Sequence, residues 1–223
     1  MKELIIPRKK LKAYARSKNL TEDEAIEALA ASALDMSVMT DSHVFLTPGT
    51  DACKITANAS VNFPVSLMKE SLAFNVSLIH AVRTLHKYKA LVHTVVKGRV
   101  VTHRGDHVVI NVDGEPIGMI FASHFIPGEF YVKGLELYFY VLKVGLRGGR
   151  AVVYLSRTSI RLPELILSLW HPTYSFKCVK RRPGKYCRIL CDPLPPKESL
   201  VRLSRMLNGE YVDALIASEF ASA

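Results

Sequence analysis

No apolar run in this chain approaches the roughly 20 residues that cross a membrane as a helix, although hydrophobic residues make up 49% of its 223. Cysteine is scarce. Cys53, Cys178, Cys187 and Cys191 include no C-x-x-C pair, so a structural zinc site is not expected. The first residues carry bases with no apolar stretch behind them, so no secretory signal is expected and the protein is read as cytoplasmic. In that compartment the thiols are packing groups, although Cys178 and Cys187 lie on facing strands of one hairpin and could approach each other. Catalytic motifs are missing too. There is no G-x-x-x-x-G-K phosphate loop, no H-E-x-x-H and no G-x-S-x-G. His80, His86 and His93 fall at or near helical spacing, but Lys87 and Lys89 beside them disfavour a cation and no carboxylate accompanies them. A non-enzyme without metal or cofactor is the expectation.

Acid is the charge in short supply. Thirty Lys and Arg face 20 Asp and Glu, which gives a net charge of +10 and a pI near 9.5. A basic protein of this size usually meets a polyanion, most often nucleic acid. The distribution says more than the sum. Met1–Leu20 carries seven bases and one acid, Thr21–Asn62 seven acids and one base, and Phe176–Arg188 six bases and no acid.

Met1–Lys18 is a short apolar start followed by a basic arm or basic helix face. Leu20-Thr-Glu-Asp-Glu24 is a capping box, with Thr21 capping and Glu24 returning the bond. Behind it runs a helix with the stripe Ile26, Leu29, Ala30, Ala33 and Leu34. Val44–Leu46 and Lys54–Asn58 read as strands about a Pro48–Asp51 turn. A long helix, Phe63–Tyr88, then carries Leu67, Met68, Leu72, Val76, Ile79, Val82 and Leu85. The segment is expected to be α-β-β-α.

Five strand-like runs follow: His93–Val101, His107–Asp113, Pro116–Phe121, Leu135–Val144 and Arg150–Ser156, punctuated by glycines. This spacing suits an OB-type barrel, which holds single strands with a basic groove and aromatic stacking platforms. The candidate platforms are His103, Arg104, His107, Phe121, His124, Phe125 and Tyr131, with Lys133, Arg147 and Arg150 for phosphate. Phe121 and Phe125 serve equally well as barrel core. In Tyr138-Phe-Tyr140, Phe139 should face opposite to its neighbours.

Leu155-Ser-Arg-Thr-Ser159 joins this unit to the next, with Thr158 or Ser159 placed to cap a helix that contains Pro163 in its first turn. Its apolar face is Leu162, Leu165, Ile166, Leu169 and Trp170. Tyr174–Lys180 and Tyr186–Cys191 form a hairpin about Pro183-Gly184, then comes a helix, Leu200–Leu207, and a last strand, Tyr211–Ala217. Arg157 and the hairpin bases Lys177, Lys180, Arg181, Arg182, Lys185 and Arg188 complete the candidate RNA contacts.

The L-S-R-T-S junction, together with Val96-Lys-Gly-Arg-Val-Val101, Ile126-Pro-Gly-Glu129, Tyr140-Val-Leu-Lys-Val144, Val179–Lys185 and Asn208–Ala217, resembles the bacterial NusA family. The resemblance covers roughly the last 130 residues. It implies an α+β, modular chain. Residues 1-91 would be an N-terminal α-β-β-α domain that docks on bacterial RNA polymerase. Residues 92-156 would be a five-stranded OB-type barrel that binds single-stranded nascent RNA, and 157-223 a KH-like αββαβ domain. In the family a G-x-x-G loop clamps the nucleic-acid backbone; Asp192–Leu200 has no glycine, so that clamp is not expected here. The family continues into a second KH domain, and this sequence stops at Ala223. The function implied is a monomeric, non-enzymatic factor acting on pausing, termination or antitermination. The alternative is a stand-alone RNA-binding module, translational or ribosome-associated, without polymerase contact.

Overall fold

The computed structural model describes residues 2–40, 44–49, 52–57 and 65–217. It divides the chain into two compact units: Met1–Thr84 with Arg147–Arg150, and Leu85–Leu146 with Ala151–Ala223.

The first unit contains β1 (Lys2–Pro7), α1 (Arg8–Ser17), α2 (Glu22–Thr40), β2 (Val44–Pro48), β3 (Ala52–Ala57) and most of α3 (Val65–Lys89). Its antiparallel sheet has the order β1-β3-β2. The segment is therefore β-α-α-β-β-α and not α-β-β-α. The short apolar start gains its strand partner only from β3, where Ile5 pairs with Lys54 and Ile6 with Cys53. The basic stretch winds into α1 because Leu11 and Ala15, four apart, bury together while Lys9, Lys10, Lys12 and Arg16 stay in water. Of the sequence expectations here, Thr50, Asp51, Asn58 and Phe63 lie outside the described residues, as does the side chain of Leu67.

The capping box forms as read: the Glu24 carboxylate accepts from Thr21 N at 2.7 Å, and Thr21 Oγ1 accepts from Glu24 N at 3.2 Å. The buried stripe of α2 is turned from the expected one, to Ala25, Ala28, Leu29, Ser32 and Ala33, with Ala30 and Leu34 exposed. Alanines on both flanks leave the helix face undetermined by hydrophobicity alone. A polar residue points inward because it is satisfied there. Ser32 Oγ donates to Ala28 O at 2.6 Å and accepts from Asn75 Nδ2 at 3.1 Å. On α3, Met68 and Val76 reach the core, whereas Val82 is exposed.

In the second unit, β4 (Val95–Arg104), β5 (His107–Val112), β6 (Glu115–Phe121), β7 (Glu136–Arg147) and β8 (Arg150–Ser156) close into a barrel ordered β4-β5-β6-β8-β7. The β6–β8 pair is parallel, and β4 runs antiparallel to β5 and β7. Strand alternation fills the interior with Val108, Ile110 and Val112 of β5, Ile120 of β6, Phe139 and Val141 of β7, and Val153 and Leu155 of β8. Two glycines make room for Ile110. A Cβ on Gly98 would sit 2.4 Å from Ile110 Cγ2, and one on Gly118 would sit 2.9 Å from Ile110 O and Leu155 Cδ1.

The rest of the unit is α4 (Leu162–Trp170), β9 (Ser175–Arg182), β10 (Tyr186–Asp192), α5 (Lys197–Met206) and β11 (Tyr211–Ile216). The sheet order is β11-β10-β9, with β10–β11 parallel and β9–β10 antiparallel. Leu162, Ile166, Leu167, Ile189, Leu203 and Leu207 form its core with three buried thiols. Burial raises those thiols, to about 11 for Cys178 and Cys191 and about 12 for Cys187. Leu169, placed on the apolar face from sequence, is exposed. Helix α4 begins at Leu162 after Arg161, whose amide donates to Ser159 Oγ at 3.3 Å; Thr158 makes no such bond, and Ser156 Oγ accepts from the amides of Thr158 and Ser159, at 3.2 Å each.

Strand β7 belongs to both cores. Phe139 and Val141 point into the barrel, while Tyr138, Tyr140 and Leu142 pack into the α4–α5 core. The alternation expected for Phe139 thus joins barrel and αββαβ segment into one unit.

Candidate nucleic-acid interface

With Val108 and Ile110, Gly118 and Ile120, and Val153 and Leu155 turned inward, the pleat turns His107, Phe121 and Tyr154 to the outer face of β5, β6 and β8. Their rings make a row. His107 and Phe121, register partners, have centroids 5.7 Å apart, and Phe121 and Tyr154 are stacked at 6.2 Å with an interplanar angle of 13°. Lys143 Nζ lies 4.8 Å from the Tyr154 centroid, and Asp106 holds His107 Nδ1 at 2.8 Å. All three rings are half-buried, so each keeps an accessible portion. Tyr154 and Lys143 were not among the sequence candidates. The signal for Tyr154 was its place between Val153 and Leu155 on an alternating strand, which only the inward neighbours make meaningful.

A second group is built around Phe125. His103 meets it edge-on at 6.2 Å and Tyr131 at 4.4 Å, and Tyr131 Oη donates to Glu129 at 2.6 Å. Phe125 and Tyr131 are half-buried and pack against the barrel core. Burial, and then the neighbouring Glu129 carboxylate, push the Tyr131 hydroxyl well above its ordinary pKa. His103 and Arg104 are exposed at the β4–β5 turn, and Lys133 is exposed in the segment before β7. His124 lends its carbonyl to Arg157 N at 3.0 Å. Arg147 and Arg150 flank the β7–β8 turn and are grouped with the first unit.

Two candidates are removed as RNA contacts by burial. The Arg157 side chain is 0% exposed. It forks onto both oxygens of Glu129 and donates to Tyr138 O and Met206 O, each at 2.7 Å. Arg181, 1% exposed, forks onto Glu210 at 2.9 and 2.7 Å. A guanidinium committed this way cannot meet a phosphate; sequence shows the charge and not its partner. Arg188 is paired with Asp213 at 2.6 Å but remains near the surface. Lys177, Lys180, Arg182 and Lys185 are exposed.

Among the described residues no cluster of three or more His, Cys, Asp or Glu is arranged to hold a metal ion, and no helix is long and apolar enough to cross a membrane. No protein-family model and no curated protein matches this chain.

Proposed function

We propose that this chain is a non-enzymatic, NusA-like transcription elongation factor that holds single-stranded nascent RNA on its barrel and docks on bacterial RNA polymerase through its first 91 residues. The observation that carries it is the His107–Phe121–Tyr154 row, with Lys143 beside it, on a five-stranded closed barrel. The order β4-β5-β6-β8-β7 with a parallel β6–β8 pair fits an OB-type barrel, whose second and third strands supply the oligonucleotide-binding face. The ring row begins on those two strands. Accessible rings accept bases of any identity, and Lys143 and Arg104 supply charge for the backbone.

The αββαβ segment with its parallel β10–β11 pair fits a KH-like domain reached through the L-S-R-T-S junction. The segment between β10 and α5, Pro193–Pro196, contains no glycine, so the clamp of a G-x-x-G loop is not carried over and RNA is assigned to the barrel first. In the first unit, Glu22 and Glu24 are taken up by Arg8 and Arg83, which leaves Asp23 and Glu27 as the exposed acids of early α2. These are the charges available for a basic surface of the polymerase.

The test uses the whole protein, bacterial core RNA polymerase and a single-stranded oligoribonucleotide. Co-migration with polymerase, RNA binding and an altered pause duration in purified transcription are expected. RNA binding without polymerase contact or any effect on pausing would replace this reading with a stand-alone RNA-binding module.

A further inference from the structure

The sheet β9-β10-β11 has one face packed under α4 and α5, where Cys178, Cys187, Ile189 and Cys191 point. The pleat sends the alternate residues to the other face, and the register arranges them in rows. Arg182, Tyr186 and Tyr211 are partners across the three strands, and Lys180, Arg188 and Asp213 form the next row. After a bulge on β9, Lys177 pairs with Leu190 and Leu190 with Leu215. Strand β9 is one of the two edges, and Arg182, Lys180 and Lys177 make a line of cations along it. Tyr211 is 70% exposed, and Lys180 Nζ lies 5.8 Å from the Tyr186 centroid.

Among the described residues the acids on this face are Asp213, already paired with Arg188, and Asp192 at the far end. Nothing among the described residues neutralises the edge cations. The two tyrosines are register partners on adjacent strands, whose backbones lie on the order of 5 Å apart, with a cation on the same row. Accessible rings plus unneutralised charge match a chain of unpaired bases on a phosphate backbone. An acidic peptide would satisfy the cations but leave the two tyrosine faces unused, and a duplex would offer no free base to stack.

We propose that this face is a second surface for single-stranded RNA, with Tyr211 and Tyr186 stacking bases and Lys177, Lys180 and Arg182 contacting phosphates. It deepens the RNA-binding reading above and rests on it. The chain would then contact RNA on the sheet face of the αββαβ segment without needing a glycine loop.

The experiment measures binding of the full chain to a fluorescent oligouridylate, single-stranded and as a duplex with oligoadenylate, across a salt series. The wild type is compared with Tyr211→Ala, with the Lys180→Ala/Arg182→Ala pair and with Tyr154→Ala on the barrel. Thermal melts confirm that each variant is folded. Tyr211→Ala should weaken single-strand binding about five-fold or more and leave duplex binding unchanged. The paired variant should flatten the log-log salt slope by about 1.4, two phosphate contacts at roughly 0.7 each. Photocrosslinking with 5-iodouridine should label the peptide containing Tyr211. If Tyr211→Ala and the paired variant bind as the wild type does while Tyr154→Ala is impaired, the sheet face is not an RNA surface and the barrel reading stands. If the wild type binds no RNA, both fall.

Discussion

Arg181 and Glu210 form a two-pronged, fully buried ion pair beneath the most basic turn of the protein. The same carboxylate accepts from Gly184 N at 3.0 Å, and Arg181 also donates to Ser159 O. The central arginine of Lys180-Arg-Arg182 is thus an internal brace, while its two neighbours are free to meet solvent.

The brace predicts a split between neighbouring bases. Arg181→Ala strands the Glu210 carboxylate and should cost about 3–5 kcal/mol, read as a lower urea midpoint. Lys180→Ala/Arg182→Ala should stay within about 0.5 kcal/mol per substitution and change only RNA binding. Equal stability of the two variants would show that the buried pair is not the support described.

Arg157 should tolerate no substitute. A lysine cannot span both Glu129 oxygens and the carbonyls of Tyr138 and Met206 at once, because its ammonium is a single point of charge. Arg157→Lys should therefore retain most of the roughly 3–5 kcal/mol loss expected of Arg157→Ala. Near-complete rescue of the urea midpoint by lysine would refute the forked geometry.

On the barrel, Tyr154→Ala should weaken binding of single-stranded RNA by about 1–3 kcal/mol, whereas Tyr154→Phe should bind as the wild type does. The ring is what stacks on Phe121. Lys143→Ala should mainly reduce the salt dependence, by about 0.7 in slope. A tyrosine that binds through its hydroxyl would instead lose affinity in the phenylalanine variant.

Acid stability offers an independent check. Hydrogen bonds from Lys97 and then Arg99 hold the Glu136 carboxyl down to about 2, from an ordinary value of 4.5. A depressed folded pKa contributes stability that is present above the unfolded value and is lost as pH falls through the folded one. The contribution of Glu136 should therefore disappear between about pH 4.5 and 2. Glu136→Gln should flatten the unfolding free energy against pH in that window, and an unchanged acid profile would contradict the pairing.

The strands of the barrel and the order of the αββαβ segment were legible in the sequence because alternation, glycine turns and a proline in the first helical turn are local signals. Phe139 is the clearest instance: its neighbours' polarity placed it opposite them, and it lies in the barrel core. What stayed illegible was every partner far along the chain. Nothing within four residues of Arg157 or Arg181 announces Glu129 or Glu210, so both arginines read as surface charge. The start of β1 was hidden for the same reason, its partner being some fifty residues on in β3. Tyr154 was missed because a stacking row exists only once three strands are laid side by side.

The shared strand β7 and the Arg157 fork tie the barrel to the αββαβ segment with no linker between them. A transcript that touches the ring row would then meet the tyrosine sheet by a fixed, intramolecular step. Two weak contacts joined this way gain avidity, on the order of 10²- to 10⁴-fold over either alone, provided the strand can reach both. Affinity should accordingly rise steeply at one RNA length, the length that bridges the two faces, and little on either side of it.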